Sequence, residues 1–141
     1  MKTPYLEHAN ITVTDIDAAI RFLKVAFPDF QVRHRGPATA ENAEWAHFGD
    51  DTWYIAIQGP TPGVDAEDHR NTYNHVGINH LGWVVESVDE IDGRLRAGGY
   101  TEGMSERSNP FRKRVYWYDS AGFEWEFVEY LSEKVEERNG Y

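Results

Sequence analysis

The sequence predicts an α+β fold of two tandem modules, each a strand, a helix and three further strands. Three observations carry this prediction. A segment near the N-terminus recurs at an offset of 72 residues. In each copy, strand-like alternation gives way to helical spacing. Each copy is then followed by short strand-like runs separated by turn residues.

The repeat sets residues 6–17 against residues 78–89. His8 falls on His80, Val13 on Val85, Ile16 on Val88 and Asp17 on Asp89. The opening strand covers about 8–13. Alternation puts His8, Asn10 and Thr12 on one face, with Ala9, Ile11 and Val13 on the other. In the second copy His80, Gly82 and Val84 share a face opposite Leu81, Trp83 and Val85. Each histidine thus lies on the face away from the more apolar stripe.

Thr14 or Asp15 caps the first helix and Ser87 the second. Ile16, Ala19, Ile20, Leu23 and Phe27 form the first apolar stripe, and Val88, Ile91 and Leu95 the second. Pro28 stops the first helix, and Gly98-Gly99 the second. Strands are then expected at 30–35, 43–48 and 53–58, with Gly49-Asp50-Asp51 as a hairpin turn. In the second copy they are expected weakly near Tyr100, then at 114–118 and 124–130, the last two joined through Ser120-Ala121-Gly122. The organisation is one domain over 1–131. Module one covers about 4–59, a Gly/Pro-broken connector about 60–75, and module two about 76–131. The connector is long for a bare loop. Residues 132–141 form an acidic C-terminal tail, read as a solvated end.

The composition excludes several classes of function. The chain has 141 residues and a net charge of −10, which repels phosphate backbones and anionic lipid. Nucleic acid and membrane are therefore not expected partners. Without cysteine there is no disulfide and no thiolate site, so any metal must rest on imidazole and carboxylate. No apolar run approaches the roughly 20 residues of a membrane span, and no apolar signal segment opens the chain. A cytoplasmic address is expected.

Three patterns in order make the sequence resemble the vicinal oxygen chelate superfamily, which includes glyoxalase I, the bleomycin-resistance proteins and the extradiol dioxygenases. The first is His8 followed by Asp15-Ile16-Asp17-Ala18-Ala19-Ile20-Arg21-Phe22-Leu23. The second is His80 with Ser87-Val88-Asp89-Glu90-Ile91, leading to Arg96-Ala97-Gly98-Gly99. The third is Asp119-Ser120-Ala121-Gly122-Phe123-Glu124-Trp125-Glu126, similar to the family's Asp-Pro-Asp-Gly-x-x-x-Glu ending. The resemblance covers about 5–130. It implies two βαβββ modules whose curved sheets form a cup around one divalent metal ion.

The family takes its ligands from the first and last strands of each module. The resemblance therefore implies His8, His80 and Glu126, with Ala56 at the fourth place, where glyoxalase I has a carboxylate. Two imidazoles and one carboxylate make a facial triad with open positions, the set used by the extradiol enzymes. The implied ion is Fe(II), with Mn, Ni or Zn as alternatives. The implied partner is a small substrate bound through vicinal oxygens. Ring-cleaving oxygenation is the first expected reaction and a glyoxalase-type lyase or isomerase the second. A bleomycin-resistance-type protein that binds a ligand without turnover is the alternative outside enzymes. The resemblance also implies a homodimer.

Each residue also has a plainer reading. His8, His80 and Glu126 are equally strand residues satisfied by hydrogen bonds or solvent, and Glu124 shares a face with Glu126 as an alternative ligand. Tyr116 occupies the place of a substrate-contacting tyrosine, or is a packed strand aromatic. His75 and His69 in the connector are candidate acid–base groups, or are simply exposed. Arg112 and Arg114, in a basic cluster with Arg107 and Lys113, are candidates for holding an anionic substrate, or form a solvated strand edge. Trp45, Trp53, Trp83 and Trp125 either wall a pocket or form the core.

Overall fold

The structure, a computed structural model, describes residues 4–64 and 72–140. The chain divides into two compact units, residues 1–69 and 70–141. His69 lies outside the described residues.

Unit one runs β1 (His8–Thr12), α1 (Ile16–Ala26), β2 (Gln31–Gly36), β3 (Trp45–Gly49) and β4 (Tyr54–Gln58). Its sheet has the order β1-β4-β3-β2. β1 pairs with β4 in parallel, and the other pairs are antiparallel. The Asp15 side chain caps α1, accepting from the Ala18 N–H at 2.8 Å. The turn before β4 is held by the Asp50 carboxylate, which accepts from the Thr52 and Trp53 N–H groups.

The buried stripe of α1 is Ile16, Ala18, Ala19, Phe22, Leu23 and Ala26. It adds Ala18, Phe22 and Ala26 to the expected stripe and omits two of its residues. Ile20 is only half-buried, and Phe27 is the C-cap rather than a helical residue. Phe27 leaves the helix because the Pro28 ring pushes the preceding residue out of helical geometry. Phe27 instead stacks on Phe30 at 4.8 Å. Phe22 is fully buried, and the helix-side strand residues Ile11, Phe48, Ile55 and Ile57 are buried as well.

Unit two repeats the plan: β5 (His80–Val84), α2 (Val88–Ala97), β6 (Thr101–Glu106), β7 (Arg112–Tyr118) and β8 (Glu124–Tyr130), then a short α3 (Val135–Arg138). The sheet order is β5-β8-β7-β6, again with one parallel pair, β5 with β8. Ser87 caps α2 through the Glu90 N–H at 3.2 Å. Gly99, at φ +77°, makes the left-handed exit that a residue with a Cβ resists. The strand expected weakly near Tyr100 is the full strand β6. The architecture is therefore the expected α+β fold of two tandem βαβββ modules.

The core of unit two centres on Trp117 and Trp125, both at most 1% exposed. Each indole N–H finds a buried carboxylate: Trp117 donates to Asp92 at 2.8 Å, and Trp125 to Asp119 at 3.2 Å. Asp119 also accepts from the Ala121 and Phe123 N–H groups, which shapes the β7–β8 turn. Burial nevertheless pushes its carboxyl above the usual range. Trp125 is thus core, whereas Trp45 is 38% exposed and Trp53 meets Tyr5 edge-on.

Two further expectations are corrected. The basic cluster does not share one set of partners. Arg107 is paired to Asp89 and Asp92, and Lys113 to Asp89 and Glu129, all on the α2 side. The tail is not simply a solvated end. Arg112 donates to the Arg138 carbonyl at 3.2 Å, and the Arg138 guanidinium lies 4.1 Å over the Tyr130 ring. No helix among the described residues is long and apolar enough to cross a membrane.

Candidate functional site

Strand alternation gives each sheet a helix side and an opposite side, and the histidines lie opposite the helices. In module two the register sets His80 beside Glu124 and Gly82 beside Glu126. On the next strand Tyr118 stands beside Glu124, and Tyr116 beside Glu126. Two imidazole-centred contacts follow. His80 Nε2 lies 3.1 Å from Glu126 Oε2, and His80 Nδ1 lies 3.0 Å from the Tyr73 hydroxyl. The Tyr116 hydroxyl donates to Glu126 Oε1 at 2.7 Å, and its ring meets the His80 ring edge-on at 5.4 Å. A Cβ on Gly82 would come within 3.2 Å of Glu126 Oε2, so glycine clears the space the carboxylate fills.

Glu124 is 7% exposed. One of its oxygens accepts from Tyr118 at 3.0 Å and the other from Tyr73. Both oxygens are engaged by phenols. The phenols respond accordingly. The hydrogen bond to Glu124, followed by burial, pushes Tyr73 up to about 12. Burial and then the Glu126 contact raise Tyr116, and burial and then Glu124 raise Tyr118.

Module one carries a different set on the same ladder. The His8 ring stacks on Tyr54 at 4.7 Å, Tyr54 meets His47 at 4.7 Å, and His47 meets Trp45 at 4.9 Å. A bulge in β2 between Val32 and His34 accompanies the placing of the Arg33 guanidinium 4.6 Å over the Tyr54 ring. His8 Nδ1 is 2.6 Å from Glu7 Oε2. Burial, together with the positive charge of His34, Arg33 and His8, holds His47 below the ordinary imidazole value. Asn10 stands beside Ala56 as Gly82 stands beside Glu126, which makes Ala56 the counterpart of Glu126 by register.

The structure therefore brings His80, Glu126 and Tyr116 together within module two, while His8 occupies the equivalent strand place in module one. Among the described residues no group of three or more His, Asp or Glu side chains is arranged to hold a metal ion. Arg114 lies on the Glu126 side of β7, and its buried Nε has no hydrogen-bond partner among the described residues. Arg112 is 6% exposed and engaged with the tail. His75 is exposed in the segment before β5.

Sequence reasoning missed Tyr73, Tyr118 and the His47–Tyr54 pair. Tyr118 was reachable, since it shares the face of Tyr116 by alternation. Tyr73 had no periodic signal, because its partner lies 51 residues away.

The comparisons agree with this architecture. The model of the Glyoxalase/Bleomycin resistance protein/Dioxygenase superfamily matches residues 5–127. The chain belongs to that superfamily. Among solved structures, a glyoxalase family protein from Bacillus cereus superposes with a TM-score of 0.74 at 20% identity, covering 94% of this chain and 99% of that one. A glyoxylase/bleomycin resistance protein/dioxygenase domain from Frankia sp. EAN1pec gives 0.72 at 20% identity, covering 94% and 96%. The fosfomycin resistance protein FosX from Listeria monocytogenes, complexed with Mn(II) and sulfate, gives 0.66 at 20% identity, covering 98% of each chain. No curated protein matches the sequence.

Proposed function

We propose that this superfamily member is a metal-dependent enzyme in which His8, His80 and Glu126 hold one divalent ion that receives a small substrate through vicinal oxygens. The observation that supports this most is the His80–Glu126 pair. A ring nitrogen and a carboxylate oxygen stand 3.1 Å apart, each with its other end tied down, by Tyr73 on Nδ1 and Tyr116 on Oε1. Two such donors converging on one point suit a cation between them. His8, whose Nδ1 faces Glu7, supplies the third donor of the set.

Ring-cleaving oxygenation on Fe(II) is the reaction assigned first, because two imidazoles and one carboxylate form a facial triad with open positions. A bound ion would polarise the substrate oxygens and stabilise the negative charge that develops on them. Tyr116 holds its proton on Glu126 Oε1, and its raised affinity for that proton keeps it a donor at neutral pH. It orients the carboxylate, and it would donate to a neighbouring substrate oxygen only by turning its single proton away from Glu126. Arg114, on the same side of β7, supplies a cation for an anionic substrate group.

A lyase or isomerase reaction is the second reading. Likeness to the Mn(II)-bound FosX supports a divalent ion other than iron. Ala56, in the place where glyoxalase I has a carboxylate, counts against proton transfer of the glyoxalase I kind. We also read the chain as a cytoplasmic homodimer. Light scattering that gave a monomer mass at micromolar concentration would refute the dimer.

The test is elemental analysis of anaerobically purified protein beside His8→Ala and Glu126→Ala. Near one equivalent of metal in wild type, lost in both variants, is expected. Iron with stoichiometric dioxygen uptake on a catechol supports ring cleavage, whereas nickel or zinc supports the second reading. Wild type that binds no metal after reconstitution leaves a ligand-binding protein without turnover as the better account.

A further inference from the structure

We propose that the face of the module-one sheet opposite α1 binds a planar aromatic carboxylate, with Arg33 pairing its anion and Trp45 supplying the ring on which it stacks. The inference goes beyond the metal reading and needs no ion.

The site begins with the bulge in β2. Regular alternation puts residues adjacent in sequence on opposite faces. Here Val32 stands beside buried Phe48 and His34 beside His47, and Arg33 is the extra residue between them. Its guanidinium reaches across β3 to lie 4.6 Å over the Tyr54 ring on β4. Gly49, the β3 partner of Tyr54, has no side chain to block the way. Arg33 and His34 thus serve the same face, although they are neighbours in the chain. Arg35 returns to the helix side, where Asp17 and Glu44 pair with it.

The stacking ring is seated as deliberately. Gly36 stands beside Trp45, and a Cβ on Gly36 would come within 2.3 Å of the indole Nε1. The indole therefore lies against the backbone of β2, in the space a side chain would fill. It ends the ring row His8–Tyr54–His47–Trp45 and stays partly open to solvent.

Charge selects the occupant. Among the described residues no carboxylate pairs with Arg33, which is exposed in a chain of net charge −10. Glu7, beside the same row, is taken by His8 at 2.6 Å. Tyr54 holds the guanidinium by its π face, which leaves the N–H edge for an incoming acid. That edge matches a carboxylate with two parallel hydrogen bonds. The rings match a flat aromatic body. An aliphatic acid or a neutral arene satisfies only half of the site.

Calorimetry of the full-length protein, as purified and after chelator treatment, tests this with naphthoate. Naphthamide keeps the ring without the charge, and hexanoate keeps the charge without the ring. Naphthoate is expected to bind in both states of the protein, and at least roughly tenfold more tightly than either control. Arg33→Met is expected to weaken naphthoate roughly 10–100-fold and to leave naphthamide unchanged. Trp45→Ala is expected to weaken both ring compounds roughly two- to tenfold. Arg21→Met, an equal charge change on an exposed residue of α1, is expected to change nothing. In histidine-labelled wild type, naphthoate is expected to shift the His34 and His47 ring signals in proton–carbon NMR, a readout that needs no variant to fold. Absent naphthoate binding, binding lost with the chelated metal, unchanged affinity in Arg33→Met, or shifts confined to His80 each overturn the proposal. Loss in Arg114→Met without loss in Arg33→Met also overturns it, by moving the anion to module two.

Discussion

In module one His8 stands beside Tyr54 and Asn10 beside Ala56; in module two His80 stands beside Glu124 and Gly82 beside Glu126. The next strand adds His47 beside Ala56 in one module and Tyr116 beside Glu126 in the other. One ladder is thus written twice with different chemistry. Module one stacks rings: His8, Tyr54, His47 and Trp45 touch in sequence, with Arg33 over Tyr54. Module two alternates acceptors and donors: Glu124 and Glu126 are each held by phenols, and His80 lies between them. The backbone sets which positions face one another, and the side chains decide whether that face stacks or coordinates.

The largest way to break this comparison is to cross from the ladder to the core. Trp125→Ala removes a fully buried indole and takes the indole donor from Asp119 Oδ2. It is expected to cost about 3–5 kcal/mol. Trp45→Ala, at a partly exposed end of the ring stack, is expected to cost under about 1 kcal/mol. Urea unfolding of both variants checks this, and similar losses would mean that the stack carries as much of the fold as the core.

Smaller effects separate the modules by pH in the metal-free protein. His47 has its folded value below the ordinary one, so the stability it contributes is present above about pH 6.5 and is lost as pH falls through the lowered value. Tyr73, Tyr116 and Tyr118 are raised instead. Their contribution is present below about pH 10 and is lost as pH rises through the folded values. The stability curve should therefore fall at both ends for different reasons. His47→Phe is expected to flatten the acid limb alone, and Tyr118→Phe to flatten part of the alkaline limb alone. Urea midpoints at several pH values measure it, and a variant that alters the wrong limb would sink the assignment.

The sequence made the ladder legible wherever its two-residue period held. The offset that puts His8 on His80 also puts both on the side away from their helices, and the pairing of Ala56 with the place of Glu126 is kept in the strand register. Legibility failed where contacts depend on which strands meet. His47 reaches Tyr54 only because β3 and β4 pair in that register. Tyr73 reaches Glu124 from an irregular segment with no period to betray it. The helix phase of α1 slipped at its end because Pro28 acts on Phe27 rather than on itself. The basic cluster looked like one feature in the sequence, yet alternation sends Lys113 to the helix side and Arg112 and Arg114 to the other.

The bare Cα of Gly82 has a wider implication. A Cβ there would meet the Glu126 carboxylate, and at the equivalent rung module one keeps the Asn10 side chain and reduces its neighbour to Ala56. Each rung therefore holds a fixed allotment of volume shared by two strands, and bulk placed on one is withdrawn from the other. A duplicated scaffold built this way can exchange a ligand-bearing half for a wall-forming half through a paired change at a single rung, with the backbone left where it was.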